Sequence, residues 1–493
     1  MGIIERQATR NAIYSYMGAG LGFVTVLWMS YLLTPSENGA IAAIAAYAFL
    51  FSQFANLGFT TVTVRFFPYF KDKDKGHNGF LFYAIIISLI GFLISWLVFL
   101  FLKPYLIERS QEKSQLFVSY LFYLMPLIFF TVFFNIFDTY LRACYSSVIG
   151  SLTKEVIQRI CIIGVLIVYY FKLIELPVFM FMYFFFTCLP TLLLVFYIMK
   201  QNEWHIKPVR GFMSKSLRTE MIKLGFYSIL AGGAGAIVLN LDSIMVNDML
   251  GEEKSGVYRI AFYFGSIILI PARSIYRITS SIVAERFKTN DLKEISKLYN
   301  QACNNQLTIG LLLFIGIWTN IDNIIHLLPA AYSSGKYVIL IVSAGYVVEM
   351  GTGINQVIIV NSKYYRYDAL LVFLLVGVTV LTNYIFIPLY GIIGSAIATA
   401  LTVVFANAAR FILLYVKFRM QPYDKNTWKL IIISIVAFLP GYFLPDLNYI
   451  YLDIAVRSSI VGGLFILLIF KTNATPEINQ KIRKNLLRFS SSR

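Results

Sequence analysis

The chain has 493 residues, 58% of them hydrophobic and only 14% charged, with a formal net charge of +17. A soluble domain is about 25% charged. This composition therefore excludes an ordinary soluble protein, and apolar runs long enough to cross hydrocarbon recur from end to end.

Hydropathy predicts fourteen spans, at 12–33, 40–64, 80–102, 116–137, 152–171, 177–199, 221–249, 257–283, 306–325, 337–360, 369–389, 392–416, 429–444 and 452–470. The first is not expected to be a cleaved signal, because it lacks a small-residue cleavage site and another span follows at once. Basic residues test the count. With the N-terminus inside, 31 of the 42 lysines and arginines fall in inside segments and six (Lys103, Arg109, Lys113, Lys172, Lys254, Lys336) fall outside. The other five, Arg259, Arg273, Arg277, Arg410 and Arg457, lie within spans. This is the positive-inside pattern, and it predicts both termini to be cytoplasmic. The net charge thus reads as topology, with no nucleic-acid module to bind.

Along the chain, span one carries Gly18, Gly20 and Gly22, which suit close packing or a bend. Span two carries Gln53, Asn56, Thr60 and Thr63 at three- and four-residue spacing. That stripe lines a cavity, or its threonines bond back to the backbone. Leu33 and Gly39 after span one match Leu250 and Gly256 after span seven at an offset of 217, and the closing pairs Arg65-Phe66 and Arg286-Phe287 match at 221. Six spans separate the copies, so both hairpins face outward. The repeat predicts an N-terminal lobe at 1–200, a basic cytoplasmic linker at 201–220, a C-terminal lobe at 221–418, two added spans at 419–470 and a basic tail at 471–493. Repeat-built transporters place substrate between their halves.

Asp242 lies within span seven beside Asn240 and Asn247. It is a proton- or cation-coupling carboxylate, or it neutralises Arg259 or Arg273 in a structural pair. Span eight holds Arg259, Arg273 and Arg277. On a continuous helix these three fall within about 40° of one another, together with Tyr263 and Ser266. Charge inside a membrane is costly and normally faces a bundle interior or water. The stripe therefore predicts a cationic path and an anionic cargo. Glu349 in span ten precedes Gly351, Gly353, Asn355 and Gln356, which suits either a broken cavity-lining helix or close packing through glycine. Arg410, one turn after Asn407, faces the cavity or reaches the inner surface. Arg457, near the outer end of span fourteen, is expected to snorkel. The tail, with Ile482, Leu486, Leu487 and Phe489 among its lysines and arginines, suits a helix on anionic lipid.

Enzyme chemistry has little to stand on. His77, His205 and His326 lie far apart, and Cys144, Cys161, Cys188 and Cys303 show no ligand spacing. Neither G-x-x-x-x-G-K-[ST] nor H-E-x-x-H occurs. We expect no catalytic residue, no metal site and no cofactor beyond a coupling proton or sodium ion.

The segment Pro388-Leu-Tyr-Gly-Ile-Ile-Gly-Ser-Ala-Ile-Ala-Thr-Ala400, following Asn383, resembles the IPxYGxxGAAxAT element of the polysaccharide transporter family, with Ser395 in place of the commoner alanine. The paired segments after spans one and seven are similar to that family's half-repeats. These are Wzx-type flippases of the multidrug/oligosaccharidyl-lipid/polysaccharide exporter superfamily. The resemblance implies an all-α fold of two six-helix lobes plus two helices in the bacterial inner membrane. It also implies an undecaprenyl-diphosphate-linked oligosaccharide as cargo, carried by alternating access for O-antigen, capsule or exopolysaccharide assembly. Membrane lipids, a polysaccharide polymerase and glycosyltransferases are the implied partners. A lipid-linked peptidoglycan precursor flippase and an ion-coupled multidrug exporter are the alternatives within the superfamily. A membrane polymerase or acyltransferase is the alternative outside it. The large external loop or the embedded histidine that such enzymes need is missing.

Overall fold

A computed structural model describes residues 3–110, 112–207, 209, 212–476 and 479. The side chains of 3–9, 12, 230, 231, 239, 273, 274, 277, 278 and 281 lie outside this description. Most of the expected basic tail, from 477 on apart from Asn479, also lies outside it.

Every regular element among the described residues is helical. The first are α1 (Ile3–Leu32), α2 (Pro35–Ala55), α3 (Phe59–Phe70), α4 (Phe80–Ser110), α5 (Gln115–Tyr120) and α6 (Leu124–Ala143). Next come α7 (Val148–Ser151), α8 (Gln158–Tyr170), α9 (Leu176–Lys200), α10 (Lys215–Leu250), α11 (Glu252–Ser266) and α12 (Ile270–Lys288). The rest are α13 (Leu292–Thr319), α14 (Ile321–His326), α15 (Lys336–Gly351), α16 (Asn355–Asn361), α17 (Tyr365–Tyr390), α18 (Ile392–Phe418), α19 (Lys425–Tyr442) and α20 (Ile450–Thr472). In lipid the backbone must satisfy itself, which favours helices over open strands.

Twelve helical segments among the described residues are long and apolar enough to span a membrane, and the chain is a multi-pass membrane protein. The expected count was fourteen. The stretches at 152–171 and 429–444 do form helix but are not among the twelve. The first begins as a π-helical segment, Leu152–Ile157, carrying Lys154 and Glu155, with Arg159 soon after. The second lies in α19, whose first turns hold Lys425 and Lys429.

Contacts divide the chain into two compact units, Met1–Arg259 and Ile260–Arg493. In the first, α2 ends at Asn56, and Leu57 and Gly58 take left-handed backbone with φ 48° and 68° before α3 begins. Span two is therefore broken where 40–64 was expected to be continuous. The repeat glycines meet. A Cβ on Gly39 would sit 1.7 Å from the Glu252 carbonyl oxygen, and one on Gly256 would sit 1.8 Å from that of Pro35. The matching positions of the two hairpins thus pack backbone to backbone, which only glycine permits. Glu252 also reaches the start of α5, accepting from the amides of Leu116 and Phe117 at 3.4 and 3.0 Å.

In the second unit, α17 and α18 form the hairpin of the resembling motif. Gly391 turns it at φ 59°. A Cβ on Gly394 would lie 1.9 Å from the Phe386 carbonyl oxygen. Ser395, buried, donates to Asn383 Oδ1 at 3.0 Å. The serine that replaces the commoner alanine thus bonds the asparagine that precedes the motif. Arg457 does not snorkel. It is 5% exposed and donates to Asp453, to Asp446 and to the carbonyls of Gly441 and Leu444. The proline-rich end of α19 leaves those carbonyls available, and a fork of guanidinium donors fits them better than lipid does.

Candidate functional site

The first unit holds a cavity with one lysine on its wall that hydropathy hid. The helical ladder before α8 widens into the π-helical segment Leu152–Ile157. Such bulges often mark functional sites. The chain there packs tightly. A Cβ on Gly150 would fall 1.7 Å from Asp138 Oδ1, and one on Gly18 of α1 would fall 2.7 Å from Glu155. Gly20 of the same helix has open space beside it.

These contacts present Lys154, Glu155 and Arg159 with Asp138 and Arg142 of α6. Arg142 pairs with Asp138 at 2.6 Å, and Arg159 pairs with Glu155 at 2.9 Å while donating to the Gly18 carbonyl. Lys154 makes no salt bridge among the described residues. Its ammonium lies 4.7 Å from the Phe134 ring centroid, a cation–π arrangement. The side chain keeps exposed surface and lines a cavity of about 250 Å³ with Phe49, Thr131, Gln158, Tyr183 and Thr187. An ammonium on a largely apolar wall with a few hydroxyls is the kind of group that could hold an anion.

The span-eight arginines are divided by the fold. A 3₁₀ turn at Ile267–Leu269 separates α11 from α12. Three residues at 120° rather than 100° each advance the helix phase by about 60°, which on an ideal wheel leaves the three arginines within about 60° of one another but on two helices rather than one. Arg259 belongs to the first unit and donates to the Asn38 carbonyl at 3.2 Å. Tyr263 is half-buried on α11, and Ser266 bonds back to its carbonyl at 2.9 Å. Arg273 and Arg277 sit one turn apart on α12, and their side chains lie outside the described residues. Asp242 is buried and accepts from the Tyr258 hydroxyl at 3.4 Å. Gln53 is half-buried on α2. Asn56 caps α2 and donates to Thr60 at 3.0 Å.

The second unit brings four sequence candidates into one network. α15 stops at Gly351, and Gly353 turns the chain at φ 64° before α16 begins. The broken-helix reading of the Glu349 region is therefore the observed one. Glycine packing is present too, since a Cβ on Gly353 would sit 3.0 Å from the Cys303 backbone. The break frees polar groups that side chains then satisfy. Glu349 accepts from the Tyr276 hydroxyl at 3.2 Å and from Asn407 Nδ2 at 2.6 Å. Asn407 Oδ1 accepts from Thr352 at 2.7 Å and from Asn355 at 2.9 Å. Gln356 donates to Asp368 at 3.4 Å, and Arg410 pairs with the same carboxylate at 2.8 Å. Both partners of that pair are 6% exposed. Sequence reasoning singled out Glu349, Asn355, Gln356 and Arg410 separately. It missed Asp368, which stands among the lysines and arginines of an inside segment and reads there as a helix-start charge.

The comparisons can now be set beside this geometry. A family profile described as "Polysaccharide biosynthesis protein" matches residues 6–279, more than half of the chain. The chain belongs to that family. No curated protein matches it in sequence. Among solved structures, it is similar to "Lipid II flippase MurJ, inward closed conformation", with TM-score 0.75 and 15% identity over 93% of this chain and 97% of that one. It is also similar to an inward-facing multidrug resistance MATE family transporter of the MOP superfamily, with TM-score 0.66 and 14% identity over 83% and 98%. A third is a MOP superfamily transporter from Pyrococcus furiosus whose title reports reversed polarity of the binding pocket, with TM-score 0.52 and 13% identity over 83% and 95%. At these identities the likeness is one of fold.

Proposed function

We propose that this protein flips an undecaprenyl-diphosphate-linked oligosaccharide across the bacterial inner membrane for surface polysaccharide assembly. The observation that carries the reading is Lys154, which forms no salt bridge among the described residues, on a cavity wall in the first unit. A diphosphate cannot enter hydrocarbon unpaired, and a fixed ammonium offers it a counter-ion there. The family match supports a role in polysaccharide assembly, and the fold is one used by flippases and exporters.

In this reading Arg273 and Arg277 on α12 are further candidate counter-ions for the diphosphate, and Arg259 anchors α11 through Asn38. Glu349 is the coupling carboxylate for a proton or sodium ion. It sits at a helix break and takes its hydrogen bonds from neutral donors, Tyr276 and Asn407. Asp242 has the same chemistry within the first unit. Both termini lie in the cytoplasm by the charge map, and the glycosyltransferases that build the cargo would work on that face.

Proteoliposomes carrying a labelled lipid-diphosphate oligosaccharide test this directly. Movement of the label without covalent change is expected, with loss in Lys154→Ala and Arg273→Ala. The fold likeness to a lipid II flippase makes lipid II the discriminating second cargo. Equal or faster movement of lipid II would reassign the substrate. Efflux of cationic drugs with no glycan movement would make the protein an exporter.

A further inference from the structure

His77, Cys144 and Glu203 are separated by 67 and 59 positions in sequence, which hides them from any spacing rule. The fold of the first unit brings them together. His77 lies in the turn between α3 and α4, Cys144 caps the end of α6, and Glu203 follows α9. One imidazole nitrogen, the Cys144 sulfur and a Glu203 carboxylate oxygen all lie within 4.8 Å of one another. We propose that this triad is a binding site for a thiophilic divalent transition ion of the zinc class.

The chemistry of the donor set is the first argument. Thiolate, imidazole and carboxylate are the three donor types that zinc uses, and three protein ligands with one open position is an established coordination. At ordinary zinc–ligand lengths the donors of a tetrahedral site stand about 3.3–3.7 Å apart. Closing the triad onto an ion therefore asks the widest separation to contract by up to about 1.5 Å and the 2.8 Å His77–Glu203 distance to open by about 0.5 Å.

The state of His77 is the second argument, independent of ligand spacing. Its ring is 3% exposed, and Nε2 lies 2.8 Å from Glu203 Oε2. Nδ1 is buried and has no hydrogen-bond partner among the described residues. An imidazole so enclosed with an unused nitrogen is costly unless something binds it. The turn that places it is also strained, because His77 and Asn78 take φ 51° and 50°, a region non-glycine residues seldom adopt.

The surroundings hold the donors in place. The Tyr140 hydroxyl donates to the Glu203 carbonyl at 3.2 Å, and the Phe67 ring packs 5.2 Å from the His77 ring. Lys73 stands 3.8 Å from the other Glu203 oxygen and is itself largely exposed, so it can swing out when a divalent charge arrives. Binding exchanges the Cys144 thiol proton for the ion, with one proton released to solvent. The site would pin the turn before α4, the end of α6 and the segment after α9 to one another. The charge map places all three on the cytoplasmic face.

The test uses the full chain, purified in detergent and stripped of metal. Cobalt(II) should give a thiolate-to-metal charge-transfer band at one ion per chain, and zinc should displace it. Cys144→Ser, nearly isosteric and compatible with the fold, should abolish the band. Cys161→Ser, Cys188→Ser and Cys303→Ser should retain it. Glu203→Gln should weaken zinc binding by about tenfold or more. Zinc should raise the unfolding temperature of the parent protein and not that of Cys144→Ser. A missing band, or a band and a zinc-induced shift that survive in folded Cys144→Ser, would overturn the site. The flippase reading stands or falls separately, because none of these readouts measures transport.

Discussion

The two units treat the charges on their helices differently. In the second, Arg410 and Asp368 face each other with side chains that are each 8% exposed, and Arg457 is held by two carboxylates and two carbonyls. In the first, the Arg142–Asp138 pair leaves its arginine 59% exposed, and Lys154 forms no salt bridge among the described residues. A buried, fully paired cation is already satisfied and has nothing to offer a cargo. A cation on a cavity wall with no salt bridge is the better candidate. In the proposed reading the first unit therefore carries the binding wall, while the second carries paired internal charges.

The largest expected effect comes from breaking one of those pairs. Arg410→Met strands Asp368 as a buried charge and should cost about 3–5 kcal/mol of stability, read as a large fall in unfolding temperature in detergent. Adding Asp368→Leu should recover most of it. A single variant as stable as the parent would show the pair to be solvated. Next is Lys154→Ala. Glycan transport should fall at least about tenfold, while stability changes by no more than about 0.5 kcal/mol, and Lys154→Arg should keep part of the activity. Loss of stability in step with transport would move Lys154 to the structural side of the comparison.

Glu349→Gln sharpens the contrast within the second unit. One arm of the new amide turns a donor toward a donor, at about 1–3 kcal/mol, and transport should lose its dependence on pH or sodium. A variant that keeps the parent's ion dependence would place coupling elsewhere.

The smallest effect is at Asp424, which caps α19 outside the spans. Burial raises its carboxyl, but bonds from the Thr427 and Asn426 amides and from Asn304 outweigh this and hold it below the usual value. A depressed folded value gives stability that is present above the unfolded pKa of about 3.9 and lost as pH falls through the lower folded one. Asp424→Asn should cost about 1 kcal/mol at pH 7 and flatten the stability loss below pH 4 in thermal unfolding.

Much of the architecture was legible in the residues themselves. Apolar runs, the lysine and arginine map and the paired Leu33–Gly39 and Leu250–Gly256 segments gave a multi-pass helical chain with an internal repeat, and the glycines of that repeat do touch. Those signals are local or periodic, so a linear reading captures them. The break at Gly353 was likewise marked by the glycines and amides around it.

The site was only partly legible. Glu349, Asn355, Gln356 and Arg410 each stood out as polar residues in apolar runs, but nothing linear joined them to Asp368 or Tyr276. The 3₁₀ turn at Ile267–Leu269 carries no glycine, and its proline at 271 lies beyond it. A uniform 100° wheel could not show that Arg259 and the arginines of α12 lie on two helices. Lys154 sat at the edge of a predicted span and was assigned to the inside surface, because hydropathy cannot see a π-helical segment.

The sequence by itself determined which segments enter the membrane, because transfer of each side chain to hydrocarbon is a property of that residue and its immediate neighbours. Only the tertiary structure decided which charges are paired, which face a cavity, and that His77, Cys144 and Glu203 meet. Those outcomes depend on distances between helices that lie far apart along the chain.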